Sequence, residues 1–250
     1  MAADDEVLYS VAEGVARLTI NRPARRNALT WTMIDELARR LGMAKGDDAV
    51  RVVVLRGAGE AAFCAGLDLA DLAVGTHETR GKVAALFEQL WDLGKPVIAA
   101  VAGYAVAGGF GLALACDLVV CTEGSVFAAP EIDLGLWPFM ITVPLVRSMP
   151  PKKALELMLT GRRVGAAEAE RIGFVTRVVP PDSLDAAVRE LAATLAAKPA
   201  TAIKLGRDSF YEVWDLAARD ALAVLHPLLT TVTETAGAQE GMKAFRERST

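Results

Sequence analysis

The sequence predicts an α/β fold with largely parallel strand pairing, and three observations carry that prediction. Apolar runs of strand length recur as far as Val179, most of them separated by segments with the spacing of an amphipathic helix. Alternation of this kind builds parallel sheets, because a parallel crossover needs a connection about as long as a helix. After Pro180-Pro181 the strands stop and only helical patterns follow. At 250 residues and 53% hydrophobic, the chain can bury one large core and still carry an appendage.

Taken in order, strands are expected at Val15 to Ile20, Val52 to Leu55, Val97 to Val101, Leu118 to Cys121 and Val175 to Val179. Between them lie helices from Thr30 to Leu41, with Thr30 or Thr32 as the cap, from Val83 to Trp91, from Phe110 to Ala115, and from Lys152 to Leu159. Beyond the double proline come Ser183 to Ala197, Thr201 to Leu225 after Pro199, and a polar helix near Gln239 to Arg246. This divides the chain into a core over 1–197 and a helical segment over 198–250. The segment cannot bury its own apolar stripe, so Ile203, Phe210, Trp214 and Leu216 must pack on the core or on another subunit.

Composition narrows the function. The net charge is −4 and the basic residues are scattered, with short clusters at Arg22 to Arg26, Lys152-Lys153 and Lys243 to Arg248, so a nucleic-acid partner is not expected. Three cysteines, Cys64, Cys116 and Cys121, make an odd count without zinc-type pairing, and the two histidines, His77 and His226, stand far apart, so no metal is expected. No apolar run reaches the ~18 residues of a membrane span without a breaker, and the start, Met1 to Glu6, is acidic rather than a basic signal segment. The expectation is a reduced, soluble, cytoplasmic protein.

The chemistry concentrates between Lys95 and Val179. Gly108-Gly109 follow a buried strand and open an apolar helix, whose first amides lack helical partners and can point at a negatively charged oxygen. Gly66 and Leu67 follow the strand Val52 to Leu55 and put a second backbone amide at a strand end, where open α/β sheets usually bind ligands. Glycines in such turns also serve simply to supply a positive φ. Glu131, after Pro130, is a lone carboxylate in apolar surroundings, and an oxyanion site with one carboxylate is the minimum for proton chemistry beside a carbonyl. If this segment is extended, Asp133 shares its face. Asp68 and Asp117 also suit structural roles in a turn and at a helix end.

The pieces Asn21-Arg22-Pro23 with Asn27-Ala28-Leu29, Phe63 to Asp68, Lys95 to Gly103, Gly108-Gly109, Cys116-Asp117-Leu118, Pro130-Glu131-Ile132, Leu159-Thr160-Gly161 and Gly173-Phe174-Val175 occur in the order expected of the crotonase family. From about Val7 to its end the chain resembles an enoyl-CoA hydratase/isomerase.

The resemblance implies a crotonase-like ββα spiral core with a C-terminal helical oligomerisation segment, and a homotrimer or dimer of trimers. It implies an unsaturated acyl-CoA substrate, with CoA entering as part of that substrate and no further cofactor. The backbone amides of Leu67 and Gly108 would hold the thioester oxygen, and Glu131 would be the catalytic acid/base. Arg26, Ala28, Ala65, Asp68, Trp137 and Phe139 are the substrate-binding candidates, with Arg22, Arg25, Lys243, Phe245 and Arg248 further possibilities for the CoA end. The chain departs from the two-carboxylate hydratases of the family at Gly111, where they carry their first glutamate, so that a single glutamate remains, as in the monofunctional isomerases and in some hydratase-like members acting on branched or glutaconyl-type acyl-CoAs. Bulky Leu136 to Ile141 replaces a glycine-rich run and suggests either a wall near the acyl group or ordinary core packing. Hydration, double-bond isomerisation, thioester hydrolysis and silent acyl-CoA binding all stay open at this point.

Overall fold

A computed structural model describes residues 5–248, so residues 1–4 of the acidic start, and 249 and 250, lie outside the described residues. The chain opens on a hairpin of β1 (Val7–Ala12) and β2 (Val15–Ile20), joined by Glu13-Gly14 at φ 52° and 75°. Two consecutive positive φ values are what a two-residue hairpin turn needs to match strand twist. Helix α1 (Trp31–Gly46) follows, capped by Thr30, whose hydroxyl accepts from the Met33 amide at 3.2 Å.

From here the chain coils, and each turn lays one strand in each of two sheets. β3 (Val52–Gly57) is followed by β4 (Ala62–Cys64) and then α2 (Leu69–Val74) and α3 (His77–Trp91). β5 (Val97–Val101) is followed by β6 (Tyr104–Val106) and α4 (Gly108–Ala115). β7 (Leu118–Thr122) is followed by β8 (Val126–Ala128), a 3-10 turn over Pro130–Leu134, α5 (Phe139–Ser148) and α6 (Pro151–Thr160). β9 (Val164–Gly165), α7 (Ala166–Ile172) and β10 (Arg177–Val179) complete the core. The large sheet runs β1-β2-β3-β5-β7-β10, parallel except for β1; the small one runs β4-β6-β8-β9, parallel except for β9. This is the ββα spiral that the resemblance implied.

Both faces of the large sheet are covered, which is why its central strands are uninterrupted apolar runs. Leu18, Val53, Leu55, Ala99 and Val101 pack with α1, α3 and α4, while Val52, Val54, Ile98 and Val120 face Leu184, Val188 and Ala192 of α8 (Leu184–Ala196). The small-sheet strands are two or three residues long, too short to show a period in the sequence.

The tail consists of α9 (Ala200–Val213), α10 (Ala218–Thr233) and α11 (Ala236–Arg248). The single helix expected over Thr201 to Leu225 is broken: the chain turns at Leu216, whose amide donates to Val213, and Ala217 is extended. Arg147 holds Asp215 within that turn. α9 is fastened to the core by Arg207, which donates to the Leu90 and Trp91 carbonyls and pairs with Asp117 at 2.9 Å. Asp117 also accepts from the Val97 amide and the Tyr211 hydroxyl, both at 2.6 Å. The Tyr211 hydroxyl is pushed up by burial and then by the Asp117 charge. Asp117 is therefore a structural strut. An open groove of about 590 Å³ runs between α9 and the core, lined by Trp91, Asp117, Ile203, Phe210 and Trp214 among others, away from the glycine turns. Phe210, Leu222, Leu229 and Phe245 stay largely exposed in the single chain.

Candidate active site

Two loop ends meet in van der Waals contact. The first follows β4, where Leu29 pairs with Leu67 as a parallel bridge: the Leu29 amide donates to Gly66 and the Asp68 amide to Leu29, each at 2.8 Å. A parallel bridge uses the amides on either side of Leu67 and leaves its own N–H on the far side. Gly66 stands at φ 88°, and a Cβ there would lie 2.9 Å from Ala107 Cβ and 3.0 Å from the Gly108 nitrogen. The second loop end opens α4, anchored by the Ala107 amide donating to Ala128 at 2.9 Å. A Cβ on Gly109 would come within 2.1 Å of the Cys64 carbonyl oxygen, so the helix start is pressed directly onto the end of β4. Among the described residues neither the Leu67 N–H nor the Gly108 N–H has a hydrogen-bond partner.

The backbone at this junction is strained. Ala107, the residue before α4, has φ 51° and ψ −129°, a conformation that side chains of this hand rarely adopt. No residue type signals this in advance, because alanine carries no marker for positive φ. Below the junction, Phe110, Phe127 and Phe174 interlock with ring centroids 5.3 to 5.5 Å apart, a buried aromatic support under the first turn of α4.

Glu131 follows Ala128, the partner of Ala107, by three residues, which limits the Cα separation to about 11 Å. Its carbonyl accepts from the Leu136 amide at 3.0 Å, closing the turn. Its Oε2 is shielded from solvent and has no hydrogen-bond partner. Burial raises the carboxyl above the ordinary carboxylate range, opposed by its own backbone amide. The segment is a 3-10 turn and not extended, so Asp133 does not share Glu131's face: two residues at three per turn are about 240° apart. Asp133 instead lies against Gly161, where a Cβ would be 3.2 Å from its Oδ2.

The other candidates separate by contact. Asp68 caps α2 through the Ala70 amide at 3.0 Å and accepts from Arg22 at 2.7 Å, interactions that lower its carboxyl. Arg22 is further engaged by the Ala28 carbonyl and Glu6. The expectation of Asp68 on substrate and Arg22 on CoA thus meets two side chains already committed to each other, because the pair locks the loop that carries Leu67. Arg26 is exposed, at φ 51°, and its carbonyl accepts from the Ala65 amide; Ala28 and Ala65 are half-buried beside it. Trp137 packs on the core, whereas Phe139, opening α5, is 70% exposed and so is not core packing.

Sequence reasoning missed Asn27 as a positioning residue. Fully buried, it donates to the Ala58 and Ala62 carbonyls and accepts from the Arg22 amide, tying three stretches of the site together. Its place in the Asn27-Ala28-Leu29 piece that carries the family resemblance was the available signal. Ile141 was missed as well: a Cβ on Gly111 would meet its side chain. The three cysteines are free and buried, with burial pushing Cys64 and Cys121 up to about 12. Among the described residues no three His, Cys, Asp or Glu side chains gather as a metal site, and no helix is long and apolar enough to cross a membrane.

The coiled pair of sheets, each turn adding one strand to each, defines an α/β spiral fold. The family model described as enoyl-CoA hydratase/isomerase matches residues 10–250. A solved enoyl-CoA hydratase from Mycobacterium smegmatis superimposes with a TM-score of 0.95 at 33% identity, covering 98% of this chain and 97% of that one. The 2,3-dehydroadipyl-CoA hydratase of Escherichia coli is 34% identical over 98% of this chain and 97% of its own. The carnitinyl-CoA dehydratase of Proteus mirabilis is 35% identical over 94% and 92%. The chain belongs to the enoyl-CoA hydratase/isomerase, or crotonase, family of enzymes.

Proposed function

We propose that this enzyme acts on an unsaturated acyl-CoA thioester, holding the thioester oxygen with the Leu67 and Gly108 amides and moving a proton with Glu131 alone. The observation that carries the reading is the convergence of two partnerless amides at one contact point, with Glu131, whose shielded Oε2 has no partner, three residues beyond the strand end that anchors Ala107. As enolate charge grows on the oxygen, two fixed donors and the dipole of α4 stabilise it, which makes the α-carbon proton accessible to a carboxylate. A glutamate with a raised pKa suits both taking up and returning that proton.

Double-bond isomerisation needs no more than this. Water addition is the second reading, favoured by the hydratase and dehydratase names of the relatives. Exposed Arg26, with Ala28 and Ala65, is proposed to flank the CoA portion, and Trp137 and Phe139 the acyl portion. Lys243, Phe245 and Arg248 on α11 are proposed for the CoA end of the site of a neighbouring subunit, in a homotrimer or dimer of trimers supported by the exposed apolar residues of the tail. The mass in solution tests the assembly.

The activity is tested with a panel of 2-enoyl- and 3-enoyl-CoA thioesters, following conjugated-thioester absorbance and free thiol together. Absorbance falls on hydration of crotonyl-CoA and rises on isomerisation of a 3-enoyl-CoA. Thiol release would make the protein a thioesterase, and binding without turnover, unaffected by Glu131→Gln, would make it a silent scaffold.

A further inference from the structure

A Cβ placed on Gly111 would stand 2.3 Å from Cγ2 and 2.7 Å from Cβ of Ile141, and 3.2 Å from Cζ of Phe87. Ile141 on α5 and Phe87 on α3 are each 3% exposed, and both helices pack on α4, so neither side chain has open space to move into. Gly111 lies three residues after Gly108 in α4, and residues at that spacing share a helix face. One turn along from Gly108, this face of α4 is therefore covered by the branched side chain of a neighbouring helix.

We infer that Ile141 is a specificity-determining residue: from α5 it occupies the volume that an acid/base side chain at position 111 would need, and so restricts the enzyme to moving a proton within the acyl chain. The inference rests on the proposed roles of Leu67, Gly108 and Glu131. In hydration, one base removes a proton from water while the water oxygen bonds to C3. The double-bond electrons move onto the thioester oxygen, and a second group then gives a proton to C2 as the enolate collapses. In isomerisation of a 3-enoyl thioester, Glu131 takes a proton from C2, the electrons spread into a dienolate, and the same proton returns to C4, leaving the double bond between C2 and C3. Isomerisation runs on one group, whereas hydration by the two-group route just written also uses a second acid/base side chain, and Ile141 stands where a side chain at 111 would supply one.

The test compares Gly111→Glu, Ile141→Gly and the double variant with the parent, assayed on crotonyl-CoA for hydration and on trans-3-hexenoyl-CoA for isomerisation, with circular-dichroism melts. Gly111→Glu alone is expected to melt well below the parent and to gain no hydration. The double variant is expected to melt above Gly111→Glu and to hydrate crotonyl-CoA at least tenfold faster than the parent, raising the hydration-to-isomerisation ratio by the same factor. A folded Gly111→Glu that hydrates as fast as the double variant overturns the inference, as does a folded double variant no faster than the parent. If neither glutamate variant folds, Gly111→Ala is compared with Gly111→Ala/Ile141→Gly: recovery of the lost melting temperature supports the steric block, and no recovery overturns it. Failure of the underlying reading looks different, since the parent would then turn over neither thioester or would be indifferent to Glu131→Gln.

Discussion

Replacing Gly66 by alanine separates the geometry of the two amides from the stability of the fold. The new Cβ would meet Ala107 Cβ at 2.9 Å and the Gly108 nitrogen at 3.0 Å, so one loop end must shift by a few tenths of an ångström. The φ of 88° adds a conformational cost of about 1–2 kcal/mol for a residue with a side chain. Against a total stability of roughly 5–15 kcal/mol the protein stays folded, with Tm lower by about 2–8 °C. The catalytic effect is larger. A misplaced oxyanion donor costs roughly 2.7–4 kcal/mol, and at about 1.4 kcal/mol per decade kcat falls about 100- to 1000-fold. The assay pairs a thermal melt with kcat and KM on the acyl-CoA that the parent turns over best. A folded variant whose kcat stays within threefold of the parent's would refute the placement of the Leu67 and Gly108 amides at the reacting oxygen.

Glu131→Gln should lower kcat by about 10²- to 10⁴-fold yet raise Tm at pH 7–8. The folded carboxyl lies above its unfolded value, so its stability contribution is present at low pH and lost as pH rises through the folded pKa; the variant's advantage therefore shrinks on acidification, and a Tm below the parent's at pH 8 counts against it. Because the ionised form is the base, activity should rise with pH through a midpoint above the usual ~4.3 of glutamate, which a pH–rate profile reads directly. Asn27→Ala strips partners from two carbonyls and one amide in the interior and should cost about 2–4 kcal/mol by urea denaturation; a loss under ~0.5 kcal/mol contradicts the positioning role. Arg207→Met leaves the mostly buried Asp117 charge without its cation, at a cost of about 3–5 kcal/mol. Faster proteolysis between α8 and α9 should accompany that loss, and an unchanged cleavage pattern would show that α9 is held by something else.

The large sheet was legible in the sequence because its strands are buried on both faces, and continuous runs such as Val97 to Val101 have few other uses. β1 was not, since only Val7 of its six residues is buried and an edge strand has little need of a pattern. The small sheet escaped for want of length. At the site, the paired glycines and Glu131 stood out as residue types, and the ordered motifs joined them. What could not be read is whatever depends on contact across the fold: the positive φ of Ala107, the commitment of Asp68 to Arg22, and the meeting of Ile141 with Gly111, thirty residues away in sequence. The condition on which Asp133 would share Glu131's face, an extended segment, is not met, because Pro130 starts a 3-10 turn.

The two loop ends that carry Leu67 and Gly108 leave β4 and β6, which are immediate neighbours in the small sheet. Lateral strand spacing is about 4.8 Å in any hydrogen-bonded sheet, so the gauge between the two amides starts from backbone periodicity, and Asn27 and the Arg22–Asp68 pair then fix the loop that carries Leu67. On the proposed roles, side chains facing the acyl portion can change while that spacing holds, and substrate preference is then uncoupled from the two amides proposed to hold the carbonyl.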